Sequence, residues 1–114
     1  PYLQYTYARL KSVHRKAKVQ PFLREELNDE ERTIAVKIVQ FPDIVASSAE
    51  NQSPNILALY IYELSVVLTN YYEKFPVLKA DIATQKLRLA VLLAGAKIIK
   101  CGLNILGVEA PEEI

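Results

Sequence analysis

This sequence predicts an all-α fold, an antiparallel bundle of about five helices, on three observations. Apolar residues recur with a period near 3.6 along most of its length. No segment sustains the period-two alternation of β-branched residues that a half-buried strand requires. Proline, capping residues and short polar stretches punctuate the periodic runs, and short connections between amphipathic helices favour antiparallel neighbours. With 114 residues and 51% apolar content the chain suits one domain, residues 1–114, around a single core.

The first helix is expected over 2–18, with Leu3, Thr6, Tyr7, Leu10, Val13 and Ala17 facing inward and Gln20 and Pro21 ending it. Asn28, followed three residues later by Glu31, reads as a capping box that opens a second helix reaching about residue 40, with Ile34, Ile38 and Val39 toward the core. Phe41 and Pro42 break that pattern. Pro42 then serves as the first residue of a short third helix carrying Ile44 and Val45, closed by the polar stretch Glu50 to Ser53. Ser53 and Pro54 form a second start signal, a capping hydroxyl before a proline whose missing N–H is not needed there. The fourth helix carries a broad stripe of Leu57, Tyr60, Ile61, Leu64, Val67, Leu68, Tyr71 and Tyr72, and Phe75 with Pro76 terminates it. A fifth begins near Asp81 and turns Leu87, Val91, Ala94 and Ile98 inward. Gly95 lets a neighbour approach, while Gly102 and Gly107 mark the weakening and the end of this helix.

Net charge is only +1, so any polyanion-binding role has to rest on where charges sit. A single cysteine, Cys101, excludes an intrachain disulfide and suits a reducing compartment, the cytoplasm. It reads as a small buried hydrophobe. Glu63, Arg88, Lys97 and Lys100 interrupt the uncharged runs before any reaches the roughly 18 to 20 residues of a membrane span, so no membrane partner is expected. With no methionine and a proline at its start, the chain is expected to be a piece of a larger protein. Three scattered glycines make no phosphate-binding loop, and one histidine with one cysteine supports no metal site. No catalytic residue is expected: His14 has no nucleophile in a motif beside it and reads as structural.

The feature that carries function is a stripe on the first helix. Tyr2, Tyr5, Arg9 and Lys16 fall on one side of it at about 100° per residue. Rings stack on unpaired bases while guanidinium and ammonium groups neutralise phosphates, so such a stripe suits single-stranded nucleotides. Tyrosines that merely pad the edge of a core give the same pattern. Tyr72, near the end of the fourth helix, is placed where a ring can leave the core and meet a partner. Lys11, Arg15, Lys16 and Lys18 form a basic run with Arg9, suited either to phosphate contacts or to a solvated helix face.

The segment from Pro1 to Val13, PYLQYTYARLKSV, resembles the opening of the C-terminal anticodon-binding domain of arginyl-tRNA synthetases, the DALR domain. The similarity continues through Phe41 to Val45, the Tyr60 to Tyr72 helix, Pro76 to Leu78, Leu87 to Ala90, Gly102 to Val108, and Pro111 with Glu112. The resemblance implies a class I synthetase that joins arginine to its tRNA using ATP. The ATP-binding catalytic domain lies elsewhere in that chain, and this domain, without a cofactor of its own, holds the anticodon loop. It implies loop contacts from Tyr2, Tyr5, Arg9 and Tyr72, and an approach of the C-terminus, Ile114, to the same loop. Two departures stand out. Leu68 and Thr69 occupy positions where many bacterial members carry Phe-Asn, and the family ending Pro-Glu-Arg-Met is here Pro111, Glu112, Glu113, Ile114. The alternatives are a helical protein-interaction module and a free-standing paralogue with no catalytic partner.

Overall fold

The structure is a computed structural model that describes residues 1–22 and 26–111. Its elements are α1 (Tyr2–Ala17), α2 (Asp29–Val39), α3 (Phe41–Glu50), α4 (Pro54–Lys74) and α5 (Ile82–Ile105), with no strand among the described residues. Gln40 is both the C-cap of α2 and the N-cap of α3. Only Gln40 separates those two segments; counted as one interrupted helix they leave four helices among the described residues, slightly fewer than the about five expected.

Local chemistry accounts for most of the ends. The capping box is present: the Asn28 side chain accepts from the Glu31 backbone N–H and Glu31 Oε1 accepts from the Asn28 N–H, each at 2.8 Å. Asp81 caps α5 by accepting from the Thr84 backbone and hydroxyl. Ser53 occupies the N-cap of α4, but its hydroxyl makes no capping bond. Pro54 supplies the start instead, and the Ser53 carbonyl accepts from Ser48 Oγ at 2.6 Å. Lys18 takes a left-handed conformation (φ 55°) that stops α1.

The core is largely aliphatic, includes Tyr7, Tyr60 and Tyr71, and joins all the long helices. Leu10 of α1, Ile34 of α2, Leu57, Ile61, Leu64 and Leu68 of α4, and Leu89, Leu92 and Ile99 of α5 are fully buried. Each contributes roughly 1.5–3 kcal/mol of burial. α5 packs against α1, α2 and α4, and α4 touches every other helix. Two expected core residues face outward. Val39 is 76% exposed because α2 buries the row Glu31, Ile34 and Ile38, and Val39 lies one step, about 100°, past it. Ala94 is exposed because the inner row of α5 is Leu89, Leu92, Ala96, Ile99 and Leu103; Leu87 and Val91 belong to its flank.

Gly95 does admit a close neighbour, since a Cβ there would sit 2.4 Å from Leu68 Cδ1. Gly102, expected to weaken the helix, is a second packing contact: its Cβ would lie 2.1 Å from Cδ1 and 2.7 Å from Cγ1 of Ile61. Only Gly107, at φ 79°, serves as a helix end. Alanine in a helix gains about 1 kcal/mol over glycine, whereas overpacking a full core costs about 1–3 kcal/mol. Gly102→Ala is therefore expected to lower stability by about 1 kcal/mol, read as a lower urea midpoint; a raised midpoint would show that Ile61 has room to turn away.

Candidate nucleic-acid interface

α1 lies with one flank along α4, and this apposition builds the candidate site. Tyr2, at the first turn of α1, is 43% exposed, and its ring stands 5.7 Å from that of Tyr62 at 49°. Its hydroxyl points toward Thr69 Oγ1 at 3.4 Å, a long contact. Two turns further along α1, the Arg9 guanidinium carbon lies 5.9 Å from the ring centroid of Tyr72, within the range of a cation–π contact. Tyr62, Thr69 and Tyr72 share a face of α4 at spacings of seven and three residues, so α4 supplies a second row parallel to the first.

Arg9 and Tyr72 are thus brought together, and Tyr2, paired with Tyr62, stands on the same α1/α4 seam about 10 Å along the axis from them. Tyr5 is 54% exposed on α1 between Tyr2 and Arg9. Lys16 is exposed at the last turn of α1, about 10 Å along the axis from Arg9, and extends the stripe without joining the cluster. Ile114 lies outside the described residues. Beside Tyr72 a cleft of about 280 Å³ opens between the end of α4 and α1, floored by Val13 and Val77 and edged by Glu73 and Lys79. Exposed rings, a fixed guanidinium and an adjacent cleft can hold planar groups bearing negative charge.

Sequence reasoning missed Tyr62. It lies outside the inward stripe expected of the fourth helix and is 52% exposed, whereas Tyr60 and Tyr71 are buried. The available signal was its offset of two residues from Tyr60, which turns a helical side chain about 200° away. The buried tyrosines are tied down as donors. The Tyr71 hydroxyl donates a hydrogen bond to Glu31 Oε2 at 2.6 Å, and that of Tyr60 donates to the Lys37 carbonyl. Burial, followed by the Glu31 carboxylate, drives the Tyr71 phenol far above its usual range, and burial pushes Tyr60 up to about 12. Cys101 is half-buried, not sealed in the core, because it sits on the outer flank of α5 facing α1.

Comparisons with known proteins agree with this architecture. The DALR anticodon binding domain family matches residues 3–114. The arginine–tRNA ligase of Haemophilus ducreyi is 36% identical over 118 residues, covering all of this chain and 21% of that protein. The one from Hahella chejuensis is 39% identical over 118 residues, covering 100% and 20%. Among solved structures, the Thermus thermophilus arginyl-tRNA synthetase superposes with a TM-score of 0.90 at 31% identity, over all of this chain and 21% of that one. The chain belongs to the DALR anticodon binding domain family. It spans about a fifth of the length of the curated relatives it matches. No helix among the described residues is long and apolar enough to cross a membrane.

Proposed function

We propose that this chain is the domain through which an arginine–tRNA ligase grips the anticodon loop of its tRNA. The observation that carries the reading is the convergence of Tyr2, Tyr62, Arg9 and Tyr72 from two helices onto one face, beside a cleft. Splayed loop bases stack on the rings, Arg9 makes a charge-assisted contact to a phosphate or base edge, and Tyr5 and Lys16 extend the contact along α1. Ile114, at the chain's end, completes the set of tRNA contacts. The ATP-dependent joining of arginine to tRNA belongs to a catalytic part of the same polypeptide, and this domain takes no cofactor. The cytoplasm is its compartment.

Filter binding of the full-length protein to transcribed arginine tRNA, and to the same tRNA with an altered anticodon loop, tests the reading. Stacking contributes about 1–3 kcal/mol per base, so the altered tRNA is expected to bind about tenfold or more weakly. Equal affinity for the two would overturn loop recognition. A concentration-dependent mass increase without RNA would favour a protein-interaction module instead.

A further inference from the structure

The charge of this molecule is segregated by helix in a way its net charge of +1 conceals. α1 and α5, which pack against each other, carry eight of the 14 lysines and arginines and none of the 13 acids. Between them runs a groove of about 390 Å³ faced by Lys11 of α1 and by Lys97, Lys100, Cys101 and Asn104 of α5. Among the described residues no carboxylate lines it, and none lies within ion-pair distance of Lys97 or Lys100. Both of these lysines are exposed and one turn apart.

The groove is not part of the face formed by Arg9 and Tyr72. Lys11 follows Arg9 by two residues, about 200° around α1, so it opens on the opposite flank. Its chemistry also differs. Tyr7, the ring that borders it, is buried and offers no platform for stacking, and the ammonium groups are point charges that donate without accepting. Such a surface holds phosphates without reading bases.

We propose that the α1/α5 groove is a second RNA contact, in which Lys97 and Lys100 with Lys11 hold backbone phosphates of the paired stem adjoining the loop. The proposal rests on the anticodon-loop reading, which supplies the RNA. α1 with its side chains is about 10–12 Å wide, so a hairpin seated over it meets the aromatic face on one flank and the lysines on the other. Phosphate contacts release counterions, and each one lost lowers the slope of log affinity against log salt by about one.

The test uses the full-length protein with Lys97→Gln and Lys100→Gln combined, binding transcribed arginine tRNA. The salt slope is expected to fall by about two, so the ratio of wild-type to variant affinity shrinks by about 16-fold between roughly 50 and 200 mM salt. The preference for the unaltered anticodon loop stays as in the wild type. Cys101 reports occupancy independently: tRNA is expected to slow its alkylation by iodoacetamide, followed by mass spectrometry of the peptide that contains it. Either an unchanged slope or an unprotected Cys101, in a protein that still discriminates anticodon loops, would overturn the groove proposal alone. Failure of the unmodified protein to discriminate those loops would remove the loop reading and this proposal together.

Discussion

Above pH 10 the fold is expected to lose about 1.4 kcal/mol per pH unit for each of two buried phenols, Tyr60 and Tyr71. Both are neutral donors in the folded chain, Tyr60 to the Lys37 carbonyl and Tyr71 to the Glu31 carboxylate. Burial raises Tyr60 from 10.0 to about 12, and burial together with the Glu31 carboxylate raises Tyr71 further. The sign follows from the proton count. In the unfolded chain a tyrosine ionises near pH 10, so above that pH the unfolded state binds fewer protons than the folded one, and stability falls as pH rises. The contribution is complete below pH 10, and that of Tyr60 is gone above about pH 12. Urea midpoints at pH 8, 10 and 11.5 measure it, and Tyr60→Phe is expected to make the decline shallower by one tyrosine's share. Tyr71→Phe also costs about 1.5–3 kcal/mol at neutral pH, because the buried Glu31 loses its charge-assisted donor. A midpoint that stays level to pH 11.5 would show that these phenols titrate as they do in the unfolded chain.

How much of this was legible in the sequence depended on the range of each signal. The caps at Asn28 and Asp81 and the proline starts at Pro42 and Pro54 are local, and they placed the helices to within a residue or two. The stripe of Tyr2, Tyr5 and Arg9 is also local, since it needs only the pitch of one helix. The inner face of α5 was legible only in part: Leu87 and Val91 are buried as expected, but the stretch from Leu89 to Ala96 is apolar all round and no row stands out within it. Only contact with α1 and α4 selects Leu89, Leu92, Ala96 and Ile99 over Ala94. The same holds for Gly102, whose role depends on Ile61 arriving from another helix. Tyr62 joins Tyr2 across 60 residues of sequence, and the charge segregation appears only once α1 and α5 are known to be neighbours. Pairings between helices, more than the helices themselves, turn a plausible stripe into a site with two walls.

On the proposed reading, Tyr72→Ala is expected to weaken binding of arginine tRNA by about ten- to a hundredfold, the scale of one lost stacking contact. Two losses combine at this position. The half-buried ring offers its open face to a base, and its cation–π contact with Arg9 holds the guanidinium beside the cleft. Arg9→Ala alone removes a charge and leaves the ring in place, so it is expected to reduce both affinity and the salt slope. Tyr72→Ala is expected to reduce affinity with little change in slope. If Tyr72 orients Arg9, the double variant loses less than the sum of the single ones, with a coupling of about 0.5–1 kcal/mol. Circular dichroism at each step separates binding from folding, because Arg9 is exposed and its loss leaves the core intact. Strict additivity would mean that the two side chains act on the RNA independently, and an unchanged affinity in both single variants would take the α1/α4 face out of the binding site.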